Sequence, residues 1–227
     1  MTELNLSRQS KLVPVEKIID YGIKIFGVGS IGSHVAKVLA KTGFKDIEVF
    51  DNDIVEEENL AAQAYDFKHL KMNKVDAIKD VIKESVGIDI TATHGLITEE
   101  TQITPEPNII YMCFFDSFEA RKMLFDKLKD FPVIFIDGRI GQYNMRHYFV
   151  DCGNPKEKEE YQKTLETKKE SELQCGEKAC APINVTIAGV IVMNLIKYFK
   201  EGKYISIYVG NSFSPEHNIV VYNKEAD

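Results

Sequence analysis

C-x-x-C pairs, long apolar runs and an excess of positive charge are all missing from this sequence, and each absence removes a class of function. The N-terminal residues MTELNLSRQSKLVPVEK have no apolar core of the secretory kind. The longest apolar run, TIAGVIVMNLI, is too short to cross a bilayer and contains Asn194, so no membrane association is expected. With 28 Lys and Arg against 35 Asp and Glu, the formal net charge is −7, which argues against coating a nucleic acid. Cys113, Cys152, Cys175 and Cys180 show no secreted disulfide framework in a chain of 227 residues, and a cytoplasmic location is expected. Structural zinc requires four well-placed donors. Cys175 and Cys180 are five apart, Cys152 lies upstream, and a fourth ligand would have to be a histidine such as His147 or His217. No zinc site is expected.

What is present is an ordinary globular composition, 44% hydrophobic and 28% charged, without repeats or low-complexity blocks. From Ile23 onward, apolar strand-like runs alternate with helical stretches. IKIFGV, DIEVFD, DITATHG, NIIYMCF and PVIFIDGR read as strands. SIGSHVAKVLAKTG, closed by Gly43, reads as a helix, as do HLKMNKVDAIKDVIKESV and FEARKMLFDKLKD. This alternation predicts an α/β fold, a Rossmann-like and mostly parallel sheet with helices on both faces. Beyond Gly138 the pattern changes. YNMRHYFVD alternates like an antiparallel strand, and YISIYVGNSF and HNIVVYN read as a hairpin pair, so antiparallel strands extend the sheet. Residues 154–174 read as a charged, proline-containing stretch, followed by an apolar helix over 182–199.

GVGSIG places Gly27, Gly29 and Gly32, with Ser30 between them, directly after a strand and at the start of a helix. Gly27 would make the turn, Gly29 would admit a phosphate close to the backbone, and Gly32 would let the helix pack on the sheet. Asp51 ends the next strand, where an acid commonly binds ribose hydroxyls. Two kinds of protein use such a turn: nicotinamide or flavin oxidoreductases, and enzymes that activate carboxylates with ATP.

VFDNDIVEEENLAAQ, MNKVDA, CFFDSFEAR and the early LSRQ, taken in order, resemble the ThiF/MoeB/ubiquitin-activating superfamily of adenylyltransferases. The likeness runs from about Ser7 to Phe199. It implies that ATP is bound at the glycine turn, with Asp51 on the ribose, Asn59 and Gln63 near the phosphates and Lys74 as the phosphate lysine. Asp53 would belong to the loop's hydrogen bonding. Asp116 would hold Mg2+ and Arg121 would support the site from the next helix. Arg8 would reach the phosphates of a neighbouring subunit, which implies a homodimer. The implied substrate is the C-terminal carboxylate of a small ubiquitin-like or sulfur-carrier protein with a glycine-ended tail. On this view residues 1–227 are one adenylation domain. Its N-terminal arm is 1–20, its nucleotide-binding core 21–140, and its antiparallel extension 141–227 carries a crossover segment, 152–181.

Some features depart from the family pattern. Ala62 stands where the family carries an arginine, so another cation such as Arg8, Arg139 or Arg146 would substitute, the substrate grip would differ, or the chain would not adenylate. The two C-x-x-C pairs of many relatives are missing. Relatives that pass the acyl group to a thiol carry it on the crossover, where Cys175 lies; Lys178 or the helix opened by Pro182 would favour its thiolate, and a structural cysteine is the alternative. Asp116 could instead cap the helix that starts at Phe118. Asp137, Gly138 and Arg139 are expected on the ligand edge, with Gly138 and Gly141 lining a narrow groove for the tail. An ATP-dependent adenylyltransferase is the leading expectation; an NAD-dependent oxidoreductase and a non-catalytic scaffold of the same fold are the alternatives.

Overall fold

A computed structural model of the chain describes residues 4–141, 143–166 and 180–212. Seven strands form one sheet: β1 (Gly22–Phe26), β2 (Ile47–Asp51), β3 (Thr91–His94), β4 (Ile109–Cys113), β5 (Ile134–Gly141), β6 (Asn144–Asp151) and β7 (Ile207–Asn211). Their order is β3-β2-β1-β4-β5-β6-β7. Pairing is parallel from β3 through β5, whereas β6 and β7 add antiparallel to that edge. The sheet is therefore Rossmann-like and mostly parallel, with an antiparallel end. The strand order reverses between β1 and β4, and a crevice opens at such a point beyond the strands' C-terminal ends.

Successive residues of a strand face opposite sides of the sheet, and β1 shows what that does here. Ile23 and Ile25 enter a core with Val35 and Leu39 of α2 (Gly32–Thr42), Ile78 and Ile82 of α3 (Lys74–Val86), and Ile187 and Ile191 of α6 (Ala181–Glu201). Phe26 enters the opposite core with Leu124 and Phe125 of α4 (Phe118–Leu128) and Tyr161 of α5 (Pro155–Glu166). Helices thus cover both faces. A short α1 (Val15–Ile18) in the N-terminal arm places Val13 and Ile18 in the first core.

Three expectations need correction. Helix α3 starts at Lys74, not at His69, because residues 66–70 close a separate turn in which the Asp66 N–H donates to His69 Nδ1 at 2.9 Å. The charged stretch after Asn154 is helical through Glu166. Asn154 Oδ1 accepts the Lys156 N–H at its start, and Glu157 and Tyr161 are buried. The apolar run read as 11 residues is part of a 21-residue helix, α6, long and apolar enough by those measures alone to cross a membrane. In this fold α6 packs on α2 and the sheet, with Ile183, Ile187, Ile191 and Leu195 buried. Strand β7 pairs with β6, and HNIVVYN lies outside the described residues.

Candidate functional site

The turn after β1 is built by glycines that do different jobs. Gly27 has φ +90°, and a Cβ there would lie 3.0 Å from the Phe114 carbonyl just beyond β4. A Cβ on Gly32 would fall 1.9 Å from the Gly27 carbonyl oxygen, so α2 rests directly on the turn. A Cβ on Gly29 would meet nothing within 4 Å. That opening faces the start of α2, where unpaired N–H groups and the helix dipole favour an anion. Asp51, the last residue of β2, clamps the turn. Its Oδ2 accepts the Val28 N–H at 2.8 Å and its Oδ1 the Asp53 N–H at 2.9 Å. Carboxylate oxygens accept more than one hydrogen bond, so these contacts leave capacity for a hydroxyl.

Lys74 is brought to the same place by Asp53. The Lys74 N–H donates to the Asp53 carbonyl at 2.9 Å and its Nζ to the Asp53 carboxylate at 2.8 Å. The lysine side chain is 9% exposed and the aspartate 58%, so the ammonium lies inside with its counter-charge outside. Tyr65 ties the two segments together, its hydroxyl donating to the Val28 carbonyl at 2.6 Å. Burial pushes the Tyr65 phenol well above its usual range, which keeps that hydroxyl a donor. Between them runs the loop carrying Asn59 and Gln63. Asn59 Oδ1 accepts the Glu56 N–H at 3.0 Å, and the Asn59 carbonyl accepts the Gln63 N–H at 2.8 Å. The Ala62 carbonyl accepts from His34 Nε2 at 3.0 Å and Asn184 Nδ2 at 2.8 Å. Gln63 Oε1 and Asn184 Oδ1 are buried without a hydrogen-bond partner.

Across the switch point, Asp116 follows β4 and is exposed, and Ser117 rather than Asp116 caps α4 by accepting the Ala120 N–H at 3.0 Å. The cap that would have occupied Asp116 is thus made by its neighbour, and the carboxylate is left at the crevice. Among the described residues no group of three or more His, Cys, Asp or Glu side chains gathers to hold a metal. One free carboxylate still fits magnesium, which is commonly bound by one or two carboxylates together with substrate phosphates.

Arg121, expected to support the site from the helix after Asp116, lies in α4 with its side chain turned into the interior. It is buried, and Nη1 donates to Asp137 Oδ1 and, at 3.1 Å, to the Gly138 carbonyl. Asp137 is fully buried and also takes Arg139 Nε at 2.7 Å and the Tyr161 hydroxyl at 3.0 Å. Arg139 lies over the Tyr148 ring, 4.5 Å from its centre. Arg121 is therefore an internal strut, and Arg139 is not a substitute cation at the phosphates. Arg146 sits across from Arg139 on β6. Gly138 is small because a Cβ would lie 2.9 Å from the Phe114 ring and 3.0 Å from Ile191, which is core packing and not a groove wall.

Arg8 is exposed near the far end of α2, where its neighbour Gln9 donates through Nε2 to the Lys41 carbonyl at 2.9 Å. Cys175 lies outside the described residues, as does His217; Cys180 is exposed at the start of α6. His147 is buried and bonded to Asn194, so it is no zinc ligand. Cys113 is a core residue whose thiol is pushed up to about 12 by burial. The sequence pattern gave no direct signal for His34, Tyr65 or Asn184, and it put Asp137 at the ligand edge, where the structure buries it. Tyr65 lies within six residues of Asn59 and is the one that motif proximity signals; the others are set by contacts between distant elements.

A family model described as "ThiF family" matches residues 4–222. The SUMO-activating enzyme subunit 2 of Dictyostelium discoideum is 37% identical over 82 residues, 35% of this chain and 12% of that protein. The NEDD8-activating enzyme E1 catalytic subunit of Caenorhabditis elegans is 31% identical over 120 residues, 52% of this chain and 28% of that protein. Ubiquitin-like modifier-activating enzyme 5 of Drosophila mojavensis is 23% identical over 239 residues, 93% of this chain and 59% of that protein. The chain thus spans less than two thirds of these relatives. Among solved structures, E. coli MccB with ATP superposes with a TM-score of 0.66 at 21% identity, covering 90% of this chain and 68% of that one. PaaA gives 0.69 at 16% identity, covering 96% and 68%. At these identities the superpositions speak for the fold.

Proposed function

This chain belongs to the ThiF family, and on that premise we propose that it is an ATP-dependent adenylyltransferase acting on a C-terminal carboxylate. The observation that carries the reading is convergence at the β1–β4 crevice. The open glycine turn, Asp51 and Lys74 lie on one side, and Asp116 lies on the other. The turn and the start of α2 would take the phosphates, Asp51 the ribose, and Lys74 the charge that develops on phosphoryl oxygens. Asp116 is the residue that would hold magnesium, whose chemistry is to neutralise phosphate charge. A substrate carboxylate oxygen bonds to the α-phosphorus as the bond to the bridging oxygen breaks, giving an acyl-adenylate and pyrophosphate. No general base is needed, since the carboxylate is already ionised, and catalysis is positioning and electrostatics.

A small ubiquitin-like or sulfur-carrier protein with a glycine-ended tail is the proposed substrate. The names of the SUMO-, NEDD8- and ubiquitin-like modifier-activating relatives support that class. A cytoplasmic homodimer is the proposed setting, with Arg8 supplied in trans. The test is exchange of labelled pyrophosphate into ATP with a panel of glycine-ended carrier proteins. Acceptor-dependent exchange that drops about a hundredfold in Asp116→Ala supports the reading. ATP binding without exchange for any acceptor points to a scaffold, and tight NADH binding without ATP binding overturns the assignment.

A further inference from the structure

The loop over residues 59–64 carries Asn59 and Gln63, and at position 62 it offers only a methyl group, partly buried. An alanine side chain cannot orient a loop. Its carbonyl oxygen does. It accepts from His34 Nε2 on α2 at 3.0 Å and from Asn184 Nδ2 on α6 at 2.8 Å, which uses both of its lone pairs. The attachment spreads along the loop: the Ala62 and Gln63 N–H groups both donate to the Asn59 carbonyl, at 3.1 and 2.8 Å. Two residues on, the Ala64 N–H donates to Ser33 Oγ at 3.1 Å.

Both donors are fixed. Asn184 is fully buried, and turning its amide over would set oxygen against oxygen at Ala62. That orientation leaves Asn184 Oδ1 buried without a partner, a cost the fold accepts while keeping Nδ2 on the loop. Burial lowers the His34 pKa below its usual value, outweighing the Ala62 hydrogen bond that raises it, and Nε2 carries the proton it donates to the Ala62 carbonyl. Neither residue lies in a motif that points to nucleotide chemistry.

We propose that His34 and Asn184 are positioning residues for ATP, a tether from two helices that holds the 59–64 loop through the Ala62 carbonyl. The inference rests on the nucleotide reading of the site and goes beyond it. Both donors hold the same carbonyl in parallel, so either one alone keeps the loop partly in place, and removing both costs more than the two single losses combined. The test compares full-length Asn184→Leu, His34→Ala, the double variant and His34→Gln, which retains a side-chain N–H donor. ATP affinity is measured by calorimetry, acceptor KM by pyrophosphate exchange, and loop opening by amide hydrogen exchange.

Each single variant should weaken ATP severalfold, the double variant by more than the product of the two single losses, and His34→Gln less than His34→Ala. Acceptor KM should stay unchanged, and exchange should quicken over residues 59–64 while α2 and α6 remain protected. Losses that only multiply in the double variant, or fall short of that, overturn the proposal. So does a lowered melting temperature with unchanged ATP affinity in His34→Ala, a partly exposed position outside the apolar core. If the wild type binds ATP but activates no carboxylate, the adenylyltransferase reading fails, while the affinity and hydrogen-exchange comparisons still decide the tether.

Discussion

At the scale of single residues, equal-looking glycines are under unequal constraint. A methyl at position 32 would sit 1.9 Å from the Gly27 carbonyl oxygen, where no side chain can bend away. Gly32→Ala must push α2 off the turn, and a loss of ~2 kcal/mol or more in urea unfolding is expected, typical of overpacking against rigid structure. A methyl at position 29 meets nothing within 4 Å. Gly29→Ala should therefore melt like the wild type, while calorimetry shows ATP binding at least about tenfold weaker because the methyl occupies the phosphate's approach. If both variants lost stability together, the open space at Gly29 would have no bearing on ligand binding. The G-x-G-x-x-G spacing announces three glycines, but only the packed structure separates the one the fold needs from the one the ligand needs. Ala62 shows the same limit: its identity flags a missing arginine, whereas its carbonyl and the two donors on it emerge only once α2 and α6 are in place.

Between elements, the buried polar contacts decide how the extension holds to the nucleotide half. Asp137 on β5 joins Arg121 of α4, Arg139 of its own strand and Tyr161 of α5. Burial works against the Arg139 charge, but Asp137 together with Tyr161 and Tyr148 outweighs it and holds the guanidinium above its ordinary pKa. Asp137→Asn leaves two buried guanidinium groups without a counter-charge, and a loss of ~3 kcal/mol is expected, read as a lowered urea midpoint. Tyr161→Phe removes one hydrogen bond and should cost only ~1 kcal/mol. His147 on β6 gives the acid limit of the same region. Asn194 Nδ2 donates to His147 Nε2 at 2.7 Å, and Ile205 locks that amide by bonding both its ends. A protonated ring would turn N–H against N–H, and burial already lowers the His147 pKa from 6.5 to about 4. The unfolded chain then binds more protons between those values, so stability falls as pH drops from about 6.5 to about 4 and levels off below. Urea midpoints across that range should lose this slope in His147→Gln. The strands were legible because parallel strands buried on both faces appear as plain apolar runs. Helix α5 was not, since Tyr161 and Leu165 are its main apolar residues among many charges. Asp51, Lys74 and Asp116 stand out in the sequence as ordered motif positions, but their contacts with Val28, Asp53 and the end of β4 do not. Asp137 was misplaced at the ligand edge because its burial depends on cations from two elements that strand patterning does not relate.

For the whole molecule, the position of Arg8 bears on the proposed homodimer. Gln9 anchors the arm at the Lys41 carbonyl, at the end of α2 away from the glycine turn. Eleven helical residues at ~1.5 Å each separate those ends by ~16 Å, more than an arginine side chain spans. Within its own chain Arg8 is therefore too remote to meet phosphates at the turn, and the proposed trans role would make a dimer the working unit. A two-fold dimer would exchange the arms symmetrically, each site drawing Asp116 from one chain and Arg8 from the other. Arg8→Ala and Asp116→Ala should each suppress pyrophosphate exchange as homodimers. When the two inactive variants are mixed, unfolded and refolded together, half the dimers are heterodimers. In each of these, one site has lost both residues and the other keeps both. Exchange should then recover to about one quarter of the wild-type rate. A mixture as inactive as its components would mean that Arg8 does not serve a partner's site, or that the chain works alone, and sedimentation of the mixed sample separates those outcomes.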